Sequence, residues 1–447
     1  MSKKTGKKTI TRRHFLKSAA ATVAVSATAP AIVPSFVLEG KAPSNTLLFG
    51  CIGLGRQGRG DMQELIYRGL ETNARVVAVC DVDSHRAEDG QWLAEKIYAV
   101  EENRTSYKGI DIYSDFREIL ERKDLDGVLI VTPDHSHAVH AIAAADAGKD
   151  IYLEKPMTYT IAEGQALVKA VRRNQRILQV GSQQRSSIYF FKACELVRNN
   201  RIGKLHTINV WLPEDQGAGD PTPMPIPKNL DYDMWLGPAP KAPFTEHRVH
   251  SQANFSRPGW LQIEGHCLGM ITGWGSHMND IAQWGNDTEH SGIVEIEAKA
   301  EFPDRGLFDV HTTYKSEALY ANGVKLIQET GSPAGVRFEG DKGWIFVQRG
   351  EIQASDRGIL REKIGPEETQ LYKSTNHMKN FLECMRSRKD PIAPVEIGHR
   401  SNSLCAITHI AMKMGRKLRW DPETERFVKN DEANAMLDYP HRKPWTV

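Results

Sequence analysis

From residue 45 onward the chain alternates short, nearly continuous apolar runs with segments whose apolar residues recur at helical spacing. The stretch 45–52 is such a run, ends in glycines and predicts a strand. In 61–70, Met62, Leu65 and Ile66 share one helical face. The runs 75–80, 127–131 and 150–153 predict further strands, with a small-residue helix over 138–147. Apolar strands alternating with helices predict a parallel, doubly wound α/β sheet. The pattern then changes. Between Trp211 and Phe244 there are eight prolines, with Pro221, Pro223, Pro225 and Pro227 at every second position, so a long irregular loop is expected. From 292 to 356, short runs and turns predict antiparallel strands of a second sheet. Two amphipathic helices follow over 375–388 and 400–414, the first with Met378, Phe381, Leu382 and Met385 on its apolar face. The expected organisation is a leader and linker over 1–40, a first domain over 45–183 and a second over 184–447.

The first forty residues follow a different rule. Lys3, Lys4, Lys7, Lys8, Arg12, Arg13 and Lys17 form a basic stretch without an acid, and 18–33 is a weakly apolar run of small residues. That run is too short to span a bilayer, which takes about 20 apolar residues. The paired arginines followed by Phe15-Leu16-Lys17 read as a twin-arginine signal, the address for export of folded proteins. The expected partner is the twin-arginine export machinery, and the expected location is the periplasm or another compartment reached that way. The leader also hides the charge balance. Of 58 basic side chains against 56 acidic ones, seven basic residues lie in this stretch, so the remainder is acidic. It carries no basic stripe with interleaved aromatics, and nucleic acid is not an expected partner. Six cysteines, none in a C-x-x-C pair, make no disulfide framework.

Gly53-x-Gly55-x-x-Gly58 sits between the first predicted strand and the first predicted helix. There, Gly53 lets the chain turn, Gly55 admits a pyrophosphate and Gly58 lets helix and strand close up. Arg56 and Gln57 fall within the motif, where the N–H groups of the helix start favour phosphate. Asp81, 26 residues after Gly55, closes the second strand, where it would accept from ribose hydroxyls and repel a 2′-phosphate. This arrangement favours NAD, with Arg56 and Arg86 working against the preference. Thr132-Pro133-Asp134-His135-Ser136-His137 and Glu154-Lys155-Pro156 follow two later strands, at the edge where open α/β sheets bind ligands.

These three motifs are followed in order by Gly275-Ser276-His277-Met278-Asn279-Asp280. In that combination the chain from about residue 45 to its end resembles the glucose–fructose oxidoreductase / inositol dehydrogenase / MocA family, and more narrowly its exported bacterial branch. The resemblance implies a Rossmann domain that binds a nicotinamide nucleotide. It also implies a carboxy-terminal domain on a large, mostly antiparallel open sheet, whose open face serves a homo-oligomer. It places Thr132, Pro133, Asp134, His135, His137, Glu154 and Gln183 beside the cofactor.

The expected chemistry centres on Lys155. An ammonium beside a nicotinamide can hold a substrate hydroxyl and stabilise the alkoxide that forms as hydride leaves. The bland alternative is a strand-end ion pair with Glu154. His277, at a helix start, is the candidate base. Asp280, three residues on, shares its face and would orient the imidazole or bind substrate. One position departs from the family's dehydrogenases, which usually carry an aspartate four residues before this histidine: here it is Gly273. Glu264 and His266 are the expected replacements. His135, His137 and His140 have no thiolate or carboxylate cluster beside them in sequence, so no metal site is expected.

Trp260 and Trp274 are expected in a cleft, where aromatic faces pack on sugar C–H surfaces, although tryptophans at such spacing are often core. Arg185, Arg248 and His250 are either ligands for hydroxyls or a carboxylate, or solvated surface. The reading this supports is an exported NAD-dependent oxidoreductase acting on a carbohydrate or cyclitol hydroxyl with a tightly bound cofactor. Two alternatives stand beside it. One is a glycoside hydrolase that oxidises, eliminates and re-reduces on the same NAD; the other is a non-catalytic sugar-binding protein.

Overall fold

Six short strands, β1 (Leu47–Ile52), β2 (Ala74–Cys80), β3 (Asp111–Tyr113), β4 (Gly127–Ile130), β5 (Asp150–Leu153) and β6 (Leu178–Val180), pair in parallel in the order β3-β2-β1-β4-β5-β6. The order reverses between β1 and β4, which opens a crevice at their carboxyl ends. Every residue of β4 and β5 is buried, as expected of strands covered on both faces. The computed structural model describes residues 45–447, and the leader expected over 1–40 lies outside the described residues. Helix α1 (Arg56–Thr72) starts inside the glycine motif, five residues before the predicted segment, because Gly58 lets its first turn close onto β1. Helix α2 (Ser84–Glu101) is capped by Asp83, whose side chain accepts from the His85 N–H. Helices α3 (Phe116–Glu121), α4 (His137–Asp146) and α5 (Ile161–Arg173) complete the layers, the last with a Thr160–Glu163 capping box.

The second sheet has nine strands: β7 (Leu205–Leu212), β8 (Ile293–Glu301), β9 (Thr313–Tyr320), β10 (Lys325–Thr330), β11 (Gly335–Gly340), β12 (Gly343–Gln348), β13 (Glu351–Ala354), β14 (Leu418–Asp421) and β15 (Arg426–Phe427). Their order is β13-β12-β11-β7-β10-β9-β8-β14-β15, with β7 and β10 parallel and the other pairs antiparallel. Helices α6 (Ile188–Arg198), α7 (Tyr232–Leu236), α8 (Met270–Gly273), α9 (Gly275–Gly285), α10 (His377–Ser387) and α11 (Val395–Met414) are interleaved with it. Helices α6, α9 and α11 cover one face, burying Ile208, Ile296, Leu326 and Phe338. Along β8 and β9 the intervening positions Glu297, Lys299, Lys315 and Glu317 are exposed, the alternation of a one-sided antiparallel sheet.

Helix α10 crosses the expected division. It lies in the segment assigned to the second domain, yet Met378, Phe381, Leu382 and Met385 join the core of the first sheet, with the Phe381 and Phe49 rings 6.1 Å apart. Periodicity identifies the apolar face of a helix but not its partner. The long segment between β7 and α8 holds little regular structure besides α7 and reaches the mouth of the first sheet. There the Asp231 N–H donates to the Val82 carbonyl and the Ser84 N–H to that of Asn229, each at 2.9 Å. No helix among the described residues is long and apolar enough to cross a membrane.

Candidate active site

A cavity of about 820 Å³ opens along the carboxyl edge of the first sheet. The glycine motif forms part of its wall. Gly53 has φ +88°, and a Cβ there would meet the Val131 carbonyl oxygen at 2.5 Å; a Cβ on Gly58 would lie 2.0 Å from the Gly53 oxygen. Both glycines are demanded by the protein's own backbone. Gly55 is different: a Cβ would approach nothing closer than Arg86 Nη1 at 3.9 Å, which leaves its backbone open to a ligand. Asp81 lines the same wall with its carboxylate fixed, Oδ2 accepting from the Leu54 N–H at 2.7 Å and Oδ1 from the Asp83 N–H at 2.9 Å. Burial raises its pKa and these two donors oppose the shift. A phosphate-admitting turn and an oriented acid, at the right edge of the right sheet, fit a dinucleotide.

The chemical wall comes from both sheets. Lys155 follows β5, and its backbone N–H donates to Glu154 Oε2 at 3.1 Å. Glu154 is buried, accepts from Gln183 Nε2 and is hydrogen-bonded to the Asp61 carboxyl on α1. His277, in the first turn of α9, lines the cavity with Lys155. Burial, and then the charge of Lys155, hold its pKa well below the ordinary value, so the ring is neutral. Asp134 lines the cavity too; burial pushes its carboxyl up to about 7, with Lys155 opposing.

Thr132 and Pro133 line the cavity, but His135 and His137 lie beneath it. The His137 ring nitrogens are 2.7 Å from the Pro156 oxygen and 2.8 Å from the Thr132 oxygen, which seats the ring between the two motif turns. Burial lowers its pKa to about 4, so the neutral ring donates from one nitrogen. His135 Nε2 is 3.1 Å from the Trp235 oxygen, and its ring packs on His266.

Trp260 and Trp274 line the cavity as expected; Arg185, Arg248, Glu264 and Asp280 do not. Asp280 neither faces His277 nor reaches the cavity. It is buried in a two-point ion pair with Arg185, from Nε at 2.6 Å and Nη2 at 2.8 Å, and accepts from Ser401 Oγ at 2.7 Å. Arg185 also holds Glu289 at 2.7 Å, so it is a strut between elements and not a substrate ligand. Arg248 donates from Nε to the Pro243 oxygen at 3.2 Å, outside the cavity. Glu264 pairs with His409 at 3.1 Å and Lys413 at 2.8 Å, and His266 is buried against His135 and Trp235. Neither fills the place left by Gly273. His250 does line the cavity, but its Nε2 is 2.9 Å from Asp83 Oδ2, close to Asp81 and away from Lys155.

Sequence reasoning missed Asp61, Phe255, Arg257 and Arg349. Asp61 had one local signal: it stands four residues after Gln57, whose side chain donates to it at 2.9 Å. Arg349 lies with Gly350, at φ +81°, in the turn joining β12 and β13, and a turn's direction is set by the sheet that carries it.

Fold and site define a nicotinamide-nucleotide-binding protein of oxidoreductase type. The chain belongs to the Gfo/Idh/MocA oxidoreductase family: the family's NAD-binding Rossmann fold matches residues 47–182 and its C-terminal alpha/beta domain matches 202–447. NAD is therefore the cofactor. The chain is 29% identical over 160 residues to inositol 2-dehydrogenase of Salmonella typhimurium, covering 36% of this chain and 44% of that one. It is 32% identical over 185 residues to glycosyl hydrolase family 109 protein 1 of Shewanella sp. strain ANA-3, covering 37% and 38%. The chain thus spans less than half the length of these relatives. Among solved structures, levoglucosan dehydrogenase in complex with NADH and levoglucosan shares the fold, with TM-score 0.58 and 17% identity over 84% of this chain and 99% of that one. Aldose-aldose oxidoreductase from Caulobacter crescentus shares it at TM-score 0.58 and 19% identity, over the same shares.

Proposed function

We propose that the protein is an exported, NAD-dependent oxidoreductase that moves hydride between a carbohydrate or cyclitol hydroxyl and a tightly held nicotinamide. One observation carries this reading: Lys155, from the first sheet's edge, and His277, from α9, line the same cavity as the glycine motif. Bound NAD supplies the hydride acceptor. The Lys155 ammonium donates to the substrate oxygen and stabilises the negative charge that grows there. His277, neutral and unpartnered at Nδ1, takes the hydroxyl proton. The neutral His137 ring, seated between the Pro156 and Thr132 carbonyls, donates to one of them beside the turn that carries Lys155.

Export rests on the twin-arginine leader, whose route carries proteins already folded. Cofactor retention is supported by a strap over the glycine motif. Phe255 lies between the Arg59 and Arg86 guanidinium groups, at 4.2 and 4.7 Å, and Arg86 Nη2 donates to the Ser251 and Asn254 oxygens. The resemblance to the family supports a homo-oligomer formed through the open face of the second sheet.

The test is the absorbance of purified protein, with no cofactor added, before and after a panel of sugars, glycosides and cyclitols. A band growing near roughly 340 nm supports the reading; absence of any nicotinamide nucleotide overturns it. Gly273 and the Shewanella similarity are compatible with a second reading, redox-neutral glycoside hydrolysis on the same cofactor. Release of the aglycone with no net change in that band would identify it.

A further inference from the structure

Two guanidinium groups reach the chemical wall of the cavity without a carboxylate. Arg349, in the β12–β13 turn, makes no ion pair or hydrogen bond among the described residues. It is nevertheless held, with its guanidinium stacked over the Trp274 ring at 4.7 Å. Stacking fixes the plane of the group and leaves its N–H edge free. Arg257 makes no ion pair either; its Nη2 donates to Met270 Sδ at 3.2 Å. Both side chains are exposed at the cavity.

Trp274 follows Gly273 in the chain and Met270 lies against it, so each arginine rests on a neighbour of the position where the family's dehydrogenases usually carry an acid. A carboxylate there would neutralise them, and Gly273 supplies none. The nearest carboxyl groups are Glu154, whose charge acts on Arg349, and Asp215, which faces Arg257 but is pushed up to about 7 by burial; neither forms an ion pair with these arginines. Lys155 adds a third cation, and the Asp134 carboxyl is pushed up to about 7 by burial. Asp61 and Glu154 interact with each other and with Lys155, so one negative charge there is set against Lys155. Bound NAD adds a positive ring. Unpaired cations beside a cationic ring favour an anion in the substrate.

Building on the oxidoreductase reading, we propose that the substrate is an anionic carbohydrate whose carboxylate or sulfate group is held by Arg349 and Arg257 beside Gly273. An Arg fork matches either group, and a carboxylate takes it in two parallel hydrogen bonds.

The test is calorimetric binding of methyl glucuronoside, methyl glucoside and a 6-sulfated methyl glucoside to the NAD-loaded protein. Variants are Arg349→Gln, Arg349→Lys and Arg257→Gln, each with its NAD content measured. The wild type is expected to bind an anionic glycoside at least about tenfold more tightly than the neutral one. That advantage should shrink to about twofold or less in Arg349→Gln and be intermediate in Arg349→Lys, with NAD content unchanged. The order of uronoside and sulfated glycoside identifies which anion is meant. Equal affinities for all three, or no binding of either anionic glycoside, overturns the proposal. So does loss of NAD from the arginine variants, which would give those side chains to the cofactor's phosphates. The oxidoreductase reading fails separately, if no glycoside that binds ever reduces the bound nucleotide.

Discussion

Asp61 on α1 and Glu154 at the end of β5 meet carboxyl to carboxyl in the cavity wall. Two carboxyl groups can hydrogen-bond only when one is protonated. Burial raises both, and the charge of Glu154 raises Asp61 further, whereas Lys155, Gln183 and the Lys155 N–H oppose the shift of Glu154. The proton therefore sits on Asp61, and the pair carries one negative charge beside Lys155. Replacing Asp61 with Asn keeps both the donor and the charge, so kcat/KM at pH 7 should stay within about threefold of wild type. Glu154→Gln removes the charge and should lower kcat/KM about 10- to 100-fold. Steady-state kinetics of the two variants decide the matter, and equal losses would contradict the assignment of the proton.

Gly55 and Gly58 are alike in sequence and opposite in role. A methyl on Gly58 would lie 2.0 Å from the Gly53 oxygen, and backbone cannot step aside. Gly58→Ala should therefore destabilise the fold by more than about 3 kcal/mol. Gly55 has φ −66° and open space, so Gly55→Ala should leave thermal stability of the NAD-free protein unchanged. The same methyl would stand where a pyrophosphate must approach, and NAD affinity should fall at least about tenfold. Melting curves and NAD titration of both variants separate the two effects.

What could be read in the sequence, and what could not, divides along the same line. Gly53, Asp81, Glu154 and Lys155 were legible because each is tied to a strand end and its turn, a local constraint. His277 was legible from its motif. Asp280 was misread because helical spacing places it near His277, while Arg185, 95 residues away in sequence, claims its carboxylate. The partner of α10 and the aim of Arg349 failed for the same reason: both are fixed by contacts between distant segments.

Glu264 provides a stability prediction with a definite pH window. Burial pushes its carboxyl up, but His409 and Lys413 outweigh it and hold the pKa at about 2, against an ordinary 4.5. A depressed folded-state value means that the stabilisation is present above about 4.5 and is lost as pH falls toward 2. Glu264→Gln should cost about 1–2 kcal/mol at pH 7, and its deficit should narrow through that window. Denaturant unfolding at several pH values checks this. Because the side chain lies outside the cavity, kcat/KM should not change.

The strap over the glycine motif makes a kinetic prediction. Phe255 sits between two guanidinium groups that belong to the first sheet's helices, Arg59 on α1 and Arg86 on α2. Each such contact contributes about 0.5–1 kcal/mol at an exposed site. Their loss in Phe255→Ala should weaken the closed strap by about 1–2 kcal/mol, which corresponds to a roughly tenfold faster release of NAD. The His250–Asp83 contact at 2.9 Å anchors the same segment from its other end and remains in the variant, so the fold should persist. The wild type should emerge from gel filtration with its nucleotide, whereas Phe255→Ala should lose it and recover activity when NAD is added back. A variant that keeps its NAD would show that retention resides in the glycine motif alone.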